Sequence, residues 1–370
     1  MNVAFHTRNV LLLWLCLFFI SLPFTFAVIP EFGVWIFRSW SQFVELFLED
    51  ELGIWAQSDS SMQWTSTGIL SLLATIIYLI LLFTKLSMQR VCNVMETIVV
   101  WFLAMLLFKY GLDKIFLYQF YTPDPNTLHQ SLGSLGKDQL FWSSMGTSPG
   151  YSRFLGILEC IPAILILFKR TRFLGLIISC GVLMHVFAIN LGFDITVKLL
   201  SGIMLLSSII LLIPYRERLI FLIKPNHAYN EQKEIVETKN WHRLAWSLCF
   251  SLLLLEGFYP YINRGLSGPK SHKLVGSYEV MSDEYERIHI HRNGYFISES
   301  NGNLVDESIT FINDQSFSKN NRKWTYEDYA DGGAFISIND TLYVEKIETS
   351  DYPALKNELN WTLESKLNSD

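Results

Sequence analysis

Along the chain, apolar residues gather into long blocks instead of alternating singly with polar ones. A transmembrane helix needs about 20 mostly apolar residues, and by that measure about seven blocks qualify: 10–29, 64–84, 94–118, 152–168, 173–191, 195–213 and 241–259. The stretch 31–50, EFGVWIFRSWSQFVELFLED, mixes Trp and Phe with charge at helical spacing, which predicts a helix lying in the membrane interface rather than across it. Pro214 closes the sixth block because proline cannot extend the helical hydrogen-bond ladder, and the polar run 225–240 reads as a loop. From about residue 272 the period changes. KLVGSYEVMSDEYERIHIHRNGYFISES and GAFISINDTLYVEKIETS alternate apolar with polar, and Asn293-Gly294 and Asn339-Asp340 supply turn residues between the runs. About six short strands fit, making a small antiparallel sheet or barrel of roughly 90 residues.

Composition agrees with the pattern. Half of the 370 residues are hydrophobic, 15% are aromatic and the mean hydropathy is +0.26, the profile of an integral membrane protein with a soluble appendage. The formal net charge of −6 is unevenly placed. The last hundred or so residues carry about twice as many Asp and Glu as Lys and Arg, while the rest is mildly basic, so the acidity belongs to the tail and nucleic acid is excluded as a partner.

Orientation follows from the basic residues of the short loops. Lys85 and Arg90, then Lys169, Arg170 and Arg172, then Arg216, Arg218, Lys224, Lys233, Lys239 and Arg243 fall on one side if the spans alternate. The opposite loops hold Glu31, Glu45, Glu49, Asp50, Glu51 and Asp59 against little more than Arg38. The amino end is therefore expected in the cytoplasm and the carboxyl-terminal domain outside it. Arg8 before an apolar core and the weak cleavage site Thr25-Phe26-Ala27 leave a signal peptide as the alternative reading of the first block, although the core is long for one.

Candidate chemistry is sparse. Cys16, Cys160, Cys180 and Cys249 fall in spans and Cys92 at a cytoplasmic edge, so the β domain has no disulfide framework, and no Cys-x-x-Cys is present for disulfide exchange. The chain also lacks a glycine-rich phosphate loop, a Gly-x-Ser-x-Gly elbow and His-Glu-x-x-His. His289 and His291 share one face of a strand; without a third ligand they read as exposed strand polarity rather than a metal site.

The remaining candidates lie inside the lipid, where a charge costs roughly 2.5–3.5 kcal/mol on insertion scales and so pairs, faces the bundle or lines a wet cavity. The third span ends in Lys109, Tyr110, Asp113 and Lys114; the fourth carries Arg153 and, two turns on, Glu159, with Gly156 admitting a neighbouring helix. The fifth carries His185 and Asn190, and the turn into the sixth carries Asp194 and Lys198. With the spans alternating, all ten fall in the outer half of the membrane, where four helices can bring them to one pocket. The structural reading of each stands beside the functional one. Lys109 with Asp113, and Asp194 with Lys198, suit i,i+4 ion pairs closing helix ends. Glu159 either joins a salt bridge with a lysine or handles a proton or ligand. His185 is a packing residue or a quinone or metal contact, FKRTR a topology signal or an anionic-lipid contact, and Trp101 and Trp241 interface anchors or packing residues rather than a cofactor box.

KYGLDKIF (109–116), SPGYSRFLGILECIPAILILFKRTRFLG (148–175) and NLGFDITVKLLSG (190–202) resemble the conserved segments of DoxX-like membrane proteins. The resemblance covers about residues 94–213 and implies a four-helix membrane domain there. The whole layout, through YPALKNELNWTLES, is similar to that of Bacteroidetes-type DoxX-like proteins. It implies membrane helices over 1–93 with an interfacial helix, the DoxX-like bundle over 94–213, a cytoplasmic loop over 214–240, a last span over 241–260 and an extracytoplasmic β domain over 272–370. It also implies a bacterial inner membrane location and membrane or periplasmic redox proteins as partners, including thiosulfate:quinone and thiol or oxidative-stress systems, with quinone as the cofactor in view. The family carries no agreed catalytic residues. Two functions follow: a subunit or accessory of a quinone- or thiol/sulfur-linked redox system with an outer-leaflet polar pocket, or a non-catalytic scaffold displaying an acidic β domain. A transporter ranks behind both, since the sequence has no internal repeat with interrupted helices.

Overall fold

The computed structural model describes residues 3–22, 30–47, 59–224, 240–281, 285–329, 332–338, 340–348 and 351–356. The polar run 225–239, Thr25-Phe26-Ala27, Glu49 to Glu51, Asn339 and the chain after Lys356 lie outside the described residues, as do the side chains of Trp241 and Cys249. In chain order the helices are α1 (Val3–Ser21), α2 (Pro30–Glu45), α3 (Ser61–Leu82), α4 (Met88–Ile115), α5 (Pro125–His129), α6 (Lys137–Gly146), α7 (Pro149–Leu167), α8 (Arg172–Gly192), α9 (Lys198–Leu212), α10 (Arg216–Ile223) and α11 (Asn240–Arg264). Eight strands follow: β1 (Gly276–Val280), β2 (Arg287–His291), β3 (Tyr295–Ser300), β4 (Asn303–Asn313), β5 (Ser316–Lys319), β6 (Arg322–Tyr329), β7 (Gly332–Ile336) and β8 (Thr341–Ile347). The chain forms two compact units, Met1–Phe116 with Arg153–Leu266, and Leu117–Ser152 with Ser267–Asp370.

Among the described residues of the helical unit, six helices are long and apolar enough to cross a bilayer: α1, α3, α4, α7, α8, and α9 continued through α10. That is one fewer than the apolar blocks suggest. The last block is helical over 25 residues, but its apolar part among the described residues spans only Phe250–Ile262. The first helix begins at Val3, seven residues ahead of the block, because its polar first turns find partners: His6 Nδ1 meets the Tyr78 hydroxyl at 2.8 Å and Arg8 pairs with Glu96. The stretch read as interfacial is helical over α2; Trp35 and Phe43 are exposed, and Trp40 donates to Ser66 Oγ of α3 at 2.7 Å.

α4 is the spine of this unit. Its buried residues run from Cys92 to Lys114, and it packs against α1, α9 and α11. Phe19 of α1 stacks on Phe102 with centroids 5.7 Å apart. Glycine brings α7 against it: a Cβ built on Gly156 would lie 2.4 Å from the Gly111 carbonyl oxygen, so the two backbones touch where no side chain fits. The basic turn after α7 has a structural use that its composition does not reveal. Arg172 is buried and donates from Nε to the Ile166 carbonyl at 2.8 Å and from Nη2 to that of Leu167 at 3.3 Å, satisfying carbonyls at the end of α7.

The second unit holds a closed antiparallel barrel in which each strand pairs with the next and β8 returns to β1. Eight strands replace the expected six: the polar stretch 303–329 forms β4, β5 and β6, of 11, 4 and 8 residues, with turns that use Asn301, Asn320 and Asn321 at positive φ. Asn293-Gly294 does form a turn, where Gly294 at φ +79° leaves only 2.8 Å between a built Cβ and the Ile309 carbonyl. Alternation fills the interior with Tyr278, Ile288, Ile290, Phe296, Phe317, Trp324, Phe335 and Val344. His289 and His291 share the outer face as expected, but they are not exposed strand polarity. His289 is fully buried and His291 largely so, because α5, from the connection between α4 and α7, packs on β1 and β2.

Gly156→Ala is expected to lower the thermal midpoint of the detergent-solubilised protein, with an overpacking cost of about 1–3 kcal/mol. Gly150→Ala, where a built Cβ meets open space, should leave the midpoint unchanged.

Candidate functional site

The centre of the helical unit's polar inventory is an ion pair. Lys114 Nζ of α4 lies 2.8 Å from Glu159 Oε2 of α7, with side-chain exposures of 7% and 6%, low enough that neither charge is met by solvent. Local sequence explains the placement: Gly111 lies three residues before Lys114 and Gly156 three before Glu159, so each charge follows by one turn the glycine at which its helix crosses the other. Tyr110 joins the pair, its ring centroid 5.9 Å from Lys114 Nζ. His185 of α8 stands within electrostatic reach of the Glu159 carboxylate, as does Asp113.

Asp113 brings in a helix outside the expected four. The Tyr261 hydroxyl of α11 donates to Asp113 Oδ1 at 2.6 Å, while Gly257 of α11 meets Phe108 and Leu112. Contacts that advance together along both helices make α11 run parallel to α4. The sequence offered a signal for α11 that its apolar content masks: Glu256 interrupts the run LLLLEGFYP and is buried, as a carboxylate packed into the bundle would be.

Asn190, Asp194 and Lys198 form a second set. They do not lie on one helical stripe, because α8 ends at Gly192 and Asp194 adopts φ +56° in the turn to α9. Asn190 Nδ2 donates to Ser201 Oγ at 2.9 Å, and Lys198 Nζ lies 2.7 Å from Asp194 Oδ1, the expected i,i+4 pair. Their organiser is Asp59. Its two carboxylate oxygens accept the Lys198 and Leu199 backbone N–H groups at 2.8 Å each, capping α9 from more than a hundred residues away, and Lys198 Nζ is 3.9 Å off. Of the remaining candidates, Lys109 is half-buried on α4 and Arg153 is exposed on α7, six residues before Glu159. Among the described residues no group of three or more His, Cys, Asp or Glu is placed to hold a metal ion.

The chemistry of the first set is that of a neutralised, hydrogen-bonded tie between helices. It contains two carboxylates, an ammonium, two phenols and an imidazole, so it can also donate and accept protons if a ligand enters.

Fold and site together define a helical integral membrane protein carrying an antiparallel β-barrel domain. The chain is 36% identical, over 112 residues, to the uncharacterized protein YwoB of Bacillus subtilis (strain 168), a match covering 30% of this chain and 70% of that protein. It therefore belongs to the same family as that protein. No family profile matches the chain, and no solved structure matches it.

Lys114→Met is expected to destabilise the helical unit by about 3–5 kcal/mol, since it strands the Glu159 carboxylate in a buried site. The Lys114→Met, Glu159→Leu double variant should recover most of that loss, as read from thermal midpoints in one detergent.

Proposed function

We propose that this chain is a DoxX-like membrane anchor that displays its β-barrel domain on the extracytoplasmic side, and that its intramembrane charges act as ties between helices. The observation that carries this reading is the Lys114–Glu159 pair, 2.8 Å long and buried on both sides. A buried carboxylate already bonded to a buried ammonium on the neighbouring helix is occupied as a crosslink, which suits a fixed tie better than a site that must open to a ligand in turnover.

Contacts within the helical unit support the orientation. Arg8 with Glu96, and Phe173 with Tyr215, bring together ends of helices expected at the cytoplasmic face, while Asp59 at the start of α9 joins two loops expected outside. The parallel course of α11 and α4 supports α11 as a seventh span, because both then end on the outer side. The barrel that follows α11 packs with the connection that follows α4, which requires one side for both. Alkaline phosphatase fused after Gly268 is thus expected to be active and the same fusion after Lys224 inactive; the opposite pattern would overturn the orientation.

A second reading has one observation in its favour. Tyr110 beside Lys114, Tyr261 bonded to Asp113, and the exposed His185 within electrostatic reach of Glu159 offer groups able to hydrogen-bond a quinone headgroup, which suits a membrane subunit or accessory of a quinone- or thiol/sulfur-linked redox system. Quinone extracted from protein purified in native lipid separates the two. The anchor reading expects no stoichiometric quinone in wild type or in Glu159→Gln, and partners captured through residues 272–370. Quinone near one per chain in wild type, lost in a folded Glu159→Gln protein, would replace it with the redox reading.

A further inference from the structure

The outer face of β1–β3 is built as a docking surface rather than a solvated wall. Ser277, Arg287, His289, Ile297 and Glu299 point outward by strand alternation, and Ser277, His289 and Ile297 are nonetheless buried. Their cover is α5 with the chain just before it, together with the turn at Tyr352. Asp124, preceding α5, is gripped by Arg292 Nε at 2.5 Å and by His291 Nε2 at 3.2 Å. Arg292 also donates to the Thr122 carbonyl at 2.7 Å and lies over the Tyr121 ring at 4.1 Å. At the other end of α5 the His129 ring sits 5.2 Å from the His289 ring, centroid to centroid, and His129 Nε2 is 2.7 Å from the Tyr352 hydroxyl.

Ser277, His289 and Glu299 follow one another in the order of a hydrolase triad, with Ser277 Oγ 2.9 Å from His289 Nδ1 and His289 Nε2 3.3 Å from Glu299 Oε2. Ser277 is only 2% exposed, however, and its Oγ is turned to the Pro125 carbonyl at 3.2 Å, so it fastens α5 instead of facing a substrate.

We propose that α5 is an acid-released latch: it stays docked on β1–β3 while His129 and His289 are neutral, and lets go when protons place two facing imidazolium charges under it. Every element packed there adds to the balance. β1 brings Ser277 and Glu279, β2 brings Arg287 and His291, β3 brings Glu299, and the carboxyl-terminal turn brings Asp351 and Tyr352. Burial, then the facing His129, then Arg287 outweigh Glu299 and push His289 down to about 4. Burial and Arg287 hold His129 below its usual range against Glu299 and Glu279. Asp124 is not the trigger. Burial works to raise its carboxyl, but the bond from His291 and the Arg292 charge prevail and keep it below the usual carboxylate range, so it stays charged in weak acid.

The direction follows from linkage. Once undocked, both imidazoles regain a pKa of about 6.5 and bind protons that the docked state refuses. Docking is therefore at full strength above about pH 6.5 and weakens as the pH falls from there toward the depressed values, by up to about tenfold per pH unit for each imidazole. The latch lies in the connection between α4 and α7, two helices long enough to span a membrane, so its release changes how that connection is held.

Amide hydrogen exchange of the full chain in lipid nanodiscs tests this, with rates corrected for the intrinsic effect of pH. Between about pH 7.5 and about pH 5, protection over residues 121–131 is expected to fall at least about tenfold while β5–β7 stay protected. His129→Phe, which leaves every barrel residue in place, should flatten that fall, and the His129→Gln, His289→Gln double variant should abolish it. Constant protection across the range, an undiminished fall in either variant, or loss of protection in β5–β7 together with 121–131 would overturn the latch.

Discussion

Hydrocarbon offers nothing to solvate a charge or an unpaired backbone group, and this constraint shapes the helical unit throughout. The Lys114–Glu159 pair is its clearest product. Two ions that would each be costly alone are set 2.8 Å apart, and the helix contact that places them is made by Gly111 and Gly156, residues without side chains. Charge pairing and close backbone approach are therefore one device: larger residues at the crossing would separate the helices and with them the ions. The Tyr261–Asp113 bond repeats the logic one helix further on, binding α11 to the same stretch of α4.

At the helix ends the same rule is met by different means. Asp59 cancels free N–H groups at the start of α9, and Arg172 cancels free carbonyls at the end of α7. Both are charged residues that a count of loop charges would assign to solvent or headgroups. In place, Asp59 is a cap supplied from more than a hundred residues away and Arg172 one supplied from the adjoining turn, and each lets a helix end cleanly.

The barrel follows another balance. Water is available to it, and its stability rests on an aromatic interior with Tyr278, Phe296, Phe317 and Phe335 almost wholly buried. Yet where α5 lies over the outer face, the barrel meets the demand that lipid imposes on the helices, since every polar group under the cover needs a partner. Ser277 with Pro125, His129 with Tyr352 and Asp124 with Arg292 meet most of it, while Asn126 Oδ1 and Arg287 Nε are buried without a hydrogen bond among the described residues. Buried imidazoles are the part of that set whose charge responds to mild acid, which is why the cover is sensitive where the core is not.

How much of this is written in the sequence depends on the range of the interaction. Hydrophobic blocks, alternation and turn residues act over a few positions, so the membrane helices, the amphipathic α2, the β character after residue 272 and the Asn293-Gly294 turn are legible directly. Lys114, Glu159 and Gly156 stand out too, because a charge or a glycine in an apolar run is locally anomalous. Their pairing is another matter. Whether Glu159 meets Lys114, whether Asp113 turns to Tyr261, whether Asp59 caps α9 and whether His289 is covered by α5 depend on which distant segments share space, and no local period records that. Local pattern marks the stretches that leave water and the residues that then cannot stand alone; their partners come from the packing of distant segments, because a buried charge demands a counterpart without specifying where along the chain it comes from.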